Sequence, residues 1–133
     1  MTTRRDARRL AIDVLYQADI TDAAPAAVMQ DWAAAGREVP SFSRALILGV
    51  EEHRPEIDLL LEENAERWTV ARMTALDRTI LRVAVEELLH RPDVPTSAVI
   101  SEAVEAAAEL STEDSRAFVN GVLGPIAREL REG

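Results

Sequence analysis

The sequence predicts an all-helical domain, and three observations carry that prediction. Alanine and leucine dominate a chain that is 47% hydrophobic but only 4% aromatic, and both are strong helix formers. Apolar residues recur at spacings of three and four, the period of a helix with one buried face. No run of β-branched residues alternates with polar ones, and no hairpin turn signal appears. At 133 residues the chain fits one domain, 1–133, long enough to bury a core.

A first helix is expected over about residues 3–19, where Ala7, Ala11, Val14, Leu15 and Ala18 form the buried stripe. Pro25 suits the first turn of a second helix and Gly36 its end, with Met29, Trp32 and Ala33 facing inward. Pro40 and Ser41 precede a third helix carrying Leu46, Ile47, Leu48 and Val50. Pro55 must break or restart it, because proline lacks a donor and clashes with the preceding turn. A fourth helix over about 55–66 then buries Ile57, Leu60 and Leu61 and leaves its carboxylates outside.

The fifth, about 74–90, is the most apolar. Leu76, Ile80, Leu81, Val83, Ala84, Val85, Leu88 and Leu89 cover more than one face, which places it at the centre. Pro92 and Pro95 enclose a connector to a sixth helix over about 96–110, with Val99, Ile100, Ala103, Ala107 and Leu110 inward. Ser111 reads as the cap of the last helix, with Glu113 and Asp114 complementing its dipole. That helix carries Phe118, Val119, Val122 and Leu123. Gly121 within it suggests close packing against a neighbour or a helix end at Asn120-Gly121, and Gly124-Pro125 a kink or stop.

Composition excludes several function classes. There is no cysteine, so disulfides and thiolate metal sites are out. No stretch approaches the roughly 20 apolar residues that span a bilayer, and MTTRRDARRL has no apolar core of a signal peptide. A cytoplasmic location is expected. The glycines form no phosphate loop, so no cofactor is expected. His53 and His90 lie near predicted helix ends with no companion at ligand spacing, and no metal site is read from them. Acid pairs such as Glu51-Glu52, Glu62-Glu63 and Glu86-Glu87 read as solvated faces rather than acid–base machinery. The chain is expected to bind partners and catalyse nothing.

Charge is unevenly placed. All 15 basic residues are arginine, and the net charge of −9 argues against general nucleic-acid binding. Yet Arg4, Arg5, Arg8 and Arg9 cluster at the start of the first helix, where positive charge opposes the macrodipole. Such arginines can pair with phosphates while Tyr16 stacks on a base. Free amides around Thr112–Ser115 offer an anion-friendly helix start, beside which Asp114 would repel phosphate. Residues 51–66 carry Glu51, Glu52, Glu56, Asp58, Glu62, Glu63 and Glu66 against one Arg54, a segment suited to a basic partner.

These segments together resemble the NusB transcription antitermination factors. EDSRAFVNGVL at 113–123 is similar to the family's EDSxxFVNGVL signature, and VPTSAVISEAVEAAAELS precedes it. LDRTILRVAVEELLH at 76–90 is similar to the core helix and RRDARRLAIDVLYQ at 4–17 to the arginine-rich first helix. The resemblance runs from about residue 4 to 124. It departs at Asp6, where many members have arginine, at Ser101 in place of asparagine, and in lacking lysine.

The resemblance implies about seven helices in two small bundles packed at an angle. It implies binding of boxA-type RNA together with the ribosomal protein NusE, within the antitermination complex on RNA polymerase that supports ribosomal RNA transcription. On the RNA side it implies Arg4, Arg5, Arg8, Tyr16, Asp114 and Phe118, beside which stand Arg9 of the basic cluster and Arg116 of the signature. Asp77 and its helix, with Arg78, match the side that receives NusE, and Glu62 and Glu66 of the acidic segment are placed there too. The alternative is a helical protein-binding module, or a homodimer, that makes no direct contact with RNA.

Overall fold

The computed structural model describes residues 3–65 and 69–132. Its α-helices are α1 (Arg4–Thr21), α2 (Pro25–Ala34), α3 (Ser41–Glu52), α4 (Arg54–Asn64), α5 (Ala75–His90), α6 (Thr96–Leu110) and α7 (Glu113–Ala127). A 3-10 turn over Val70–Arg72 precedes α5, and a π-helical turn over Arg128–Glu132 follows α7. Among the described residues there is no strand.

α5 touches α1 and α3 on one side and α4, α6 and α7 on the other, so it is shared by two small bundles. Its composition explains the position. Ile80, Leu81, Val83, Ala84, Val85 and Leu88 are all buried, and even Asp77, Arg82, Glu86 and Glu87 are covered. The two bundles share one continuous apolar core, with Ile47, Ile57, Leu81, Leu123 and Ile126 among its wholly buried members.

Local chemistry sets the helix ends. Thr3 caps α1 by accepting from the Asp6 amide at 3.0 Å, and Thr74 caps α5 by accepting from Asp77 at 3.2 Å. Gly36, at φ +82°, turns the chain after α2 in a conformation that side chains resist. Pro55 acts as expected: His53 closes α3 and opens α4 at φ −103°, so the two helices meet at a corner without a loop.

Several details correct the sequence reading. Thr112, not Ser111, caps α7: its hydroxyl accepts from the Ser115 amide at 3.2 Å, while Ser111 bonds the Ser115 hydroxyl. Gly121 is exposed, and a Cβ there would meet nothing within 4 Å, so neither close packing nor a helix end explains it. The close approach belongs to Gly49, where a Cβ would run into the Glu86 carboxylate. Ala33, Leu48 and Leu110 face outward because the stripes of their helices are narrower than the apolar spacing suggests. Pro125 lies inside α7 and does not stop it.

Arg131, in the final turn, was not singled out by the sequence. Its guanidinium donates to the carbonyls of Glu87, Leu88, Arg91 and Val94 at 2.8–3.1 Å and reaches Thr96. It thus satisfies the Leu88 carbonyl at the end of α5 and ties that end to the connector carbonyls of Arg91 and Val94, and a cation there also suits the helix dipole.

Candidate functional site

The four N-terminal arginines project from the first turns of α1, and every one meets a carboxylate of this chain. Arg8 is buried and donates to Glu87 of α5 at 2.6 and 3.1 Å. Arg5 sits among Glu102, Glu105 and Glu109 of α6 at 3.8, 3.3 and 3.1 Å. Arg9 shares Glu109 at 3.0 Å, and Arg4 meets Asp93 at 3.2 Å. This resolves the unfavourable dipole placement: acids from α5, α6 and their connector neutralise the cluster.

The electrostatics follow. Glu105 first, with Glu102 and Glu109, raises the Arg5 pKa further. Desolvation would raise Asp93, but the hydrogen bond from Arg4, with Arg91 nearby, holds it below its ordinary value. Arg4, Arg8 and Arg91 surround the Phe42 ring, 4.8–5.3 Å from its centre. Arg4 and Arg5 remain exposed, Arg9 and Tyr16 half-buried.

A second feature lies where the starts of α5 and α7 meet. A groove of about 330 Å³ runs between Arg72, Met73, Thr74 and Asp77 on one side and Ser111, Thr112, Asp114 and Phe118 on the other. Asp77 is 7% exposed; its Oδ2 accepts from the Ser115 hydroxyl at 3.0 Å. The other oxygen, Oδ1, is buried without a hydrogen-bond partner among the described residues. Because Ser115 is held by Ser111 and Thr112, a hydroxyl chain ties the two helix starts together. Asp114 is exposed at the rim, and Phe118 is half-buried.

The structure thus brings Asp77, Asp114 and Phe118 to one groove. Arg116 faces a separate surface hollow beside Glu113 and Asn120. Arg5 and Arg9 reach Glu109 in the last turn of α6, immediately before the α7 start, so the basic row and the groove are linked through α6.

The residues expected to face a protein partner divide. Arg78 is committed internally: it donates to Asp19 at 2.7 and 3.0 Å and to the carbonyls of Val70 and Met73. Glu62 is exposed but accepts from the Val70 amide at 3.1 Å. Glu66 lies outside the described residues.

Sequence reasoning missed one cluster. Glu86 and Glu87, read as a solvated pair, are 4% and 1% exposed, because α5 is enclosed on nearly all sides. Glu86 faces His53 at 2.9 Å, and the rings of His53 and His90 stack with centres 3.8 Å apart. The hydrogen bond to Glu86 raises the His53 pKa, and burial raises that of Glu86. The i, i+4 spacing of Glu86 and His90 was the available signal.

Fold and groove define an all-helical binding domain built around one central helix. The chain belongs to the NusB family, which residues 5–128 match. Transcription antitermination protein NusB of Symbiobacterium thermophilum is 45% identical, over 97% of this chain and 92% of that protein. Its counterpart in Myxococcus xanthus is 38% identical over 99% of both. Among solved structures, T. maritima NusB is similar at TM-score 0.87 and 33% identity, covering 96% of this chain and 92% of that one. A crystal structure of antitermination factors NusB and NusE in complex with dsRNA matches at TM-score 0.84 and 25% identity, covering 95% and 96%.

Proposed function

We propose that this chain is a non-catalytic, cytoplasmic antitermination adaptor, a single NusB-like domain over 1–133 that binds boxA-type RNA together with NusE. The carrying observation is the groove at the α5 and α7 starts, adjoined through α6 by the arginine row. RNA follows Arg4, Arg5 and Arg9 past Tyr16 toward Asp114, Arg116 and Phe118. Arg8 supports this surface from beneath, since its guanidinium is buried on Glu87. NusE meets the α4–α5 side, with the exposed Glu62 facing it, the buried Asp77 fixing the start of α5 to α7, and Arg78 holding α1, the 3-10 turn and α5 in register. The similarity to a NusB chain crystallised with NusE and dsRNA supports both partners. No helix among the described residues is long and apolar enough to cross a membrane.

One observation favours the second reading, protein binding or homodimerisation without RNA. Each arginine of the row already has an acidic partner, so phosphate must compete for it. Anisotropy of labelled boxA-type RNA, with and without purified NusE, separates the two. The adaptor reading expects binding that tightens when NusE is added. A folded protein that leaves RNA unbound in both conditions overturns it in favour of the second.

A further inference from the structure

On the face formed by the α3–α4 corner and the end of α5, His53, Glu86 and His90 each place one donor atom within 4.8 Å of the others. The groove and arginine row do not use them. We propose that these residues form a structural site for a divalent transition-metal ion of the zinc class, pinning the corner to α5.

The donor set argues for that class. Two imidazoles and one carboxylate suit Zn²⁺ and its neighbours, whereas Mg²⁺ and Ca²⁺ take oxygen ligands. Glu86 and His90 are one helical turn apart on α5, and His53 comes from the corner that Pro55 enforces. The Glu86 side chain is 5% exposed and faces His53 at 2.9 Å. Space for that carboxylate exists only because residue 49 is glycine. The His53 and His90 rings stack with centres 3.8 Å apart, so both reach the same face as the Glu86 carboxylate, and joint ligation of one ion requires the rings to splay.

A fourth donor is at hand. Glu56 Oε1 lies 3.5 Å from His90 Nε2, and its side chain is 57% exposed, so it is able to swing in or leave the position to water. Ligands of a tetrahedral ion with bonds of about 2.0 Å stand about 3.3 Å apart. Closing from the present spacing takes rotamer adjustments at a solvent-facing edge. Glu52, 3.8 Å from His53, and Glu56, beside His90, raise the local cation concentration. The burial of Glu86 and the origin of the ligands from α5 and from the corner between α3 and α4 assign the ion a structural role.

The test is Zn²⁺ titration of the metal-stripped full chain against a chromophoric chelator, with imidazole resonances followed by NMR. One equivalent of Zn²⁺ is expected to bind and to shift the ring signals of both His53 and His90. His90→Ala and Glu86→Gln are each expected to weaken binding by more than about tenfold, since even supporting groups at metal sites cost that much. Both variants should keep the parent's helical circular dichroism; His90 is at the surface, and should Glu86→Gln unfold, His90→Ala and the parent's NMR shifts still decide. The proposal is overturned by no stoichiometric uptake, by uptake that leaves the histidine signals unmoved, or by unchanged affinity in His90→Ala. Equal shifts with Mg²⁺ also overturn it, since they mean diffuse attraction to acidic residues.

Discussion

Arg8 of α1 donates two hydrogen bonds, at 2.6 and 3.1 Å, to Glu87 of α5, a carboxylate only 1% exposed. The pair joins the arginine-rich start of the first helix to the centre of the fold. Removing Arg8 strands a buried negative charge. Arg8→Ala should therefore lower unfolding free energy by about 3–5 kcal/mol, measured by urea denaturation. Replacing both partners with apolar residues of similar volume should recover most of the loss. A single-variant loss within the range of an exposed pair would contradict this account.

Glu109 is shared by Arg5 and Arg9 at 3.1 and 3.0 Å and is half-exposed. An exposed pair of this kind is worth about 0.2–1 kcal/mol. Glu109→Gln should free Arg9 and loosen Arg5, which keeps Glu102 and Glu105, at little cost in stability, and tighten RNA binding about two- to fivefold. Filter binding with parent and variant side by side checks it. Weaker binding by the variant would mean that Glu109 orients the arginines productively.

Asp114 lies in the first turn of α7, but Thr112 is the cap. Asp114→Asn should leave the helix intact while removing a negative charge from the groove rim. RNA affinity should rise by up to about fivefold, the worth of about 1 kcal/mol between charges near 4 Å in water. Anisotropy on the folded variant decides, and unchanged affinity would place RNA away from this rim.

Arg131 should matter to stability and not to RNA. Arg131→Ala removes a charged donor from four carbonyls. A loss of about 2–3 kcal/mol is expected from hydrogen bonds to a charged group, again by urea denaturation. RNA affinity, measured at a temperature where the variant is folded, should match the parent's.

The helices were largely legible in the sequence because proline and apolar spacing mark them. The expected 96–110 span is α6 as observed, and Pro55 divides α3 from α4. What escaped depends on contacts distant in the chain. Nothing near Arg8 announces Glu87, 79 residues away, nor does the acid pair at 86–87 reveal that α5 is enclosed on nearly all sides. Gly121 looked like the tightly packed glycine, yet Gly49 is, because the group it accommodates comes from another helix. The groove was half visible: Asp114 and Phe118 stand in one motif, whereas the Asp77–Ser115 bond spans 38 residues. The arginine cluster was seen, but its acidic partners on α6 were not.

The central claim is that RNA lies along the arginine row. It is tested most directly by the salt dependence of boxA-type RNA binding in the presence of NusE, for the parent and for Arg4→Ala/Arg5→Ala/Arg9→Ala. Arg8 stays in place because the fold needs it. Each phosphate contact to single-stranded RNA contributes about 0.7 to the log–log slope, so the triple variant should bind more weakly with a slope shallower by about 2. Identical slopes for two folded proteins would contradict the account and take RNA off this surface.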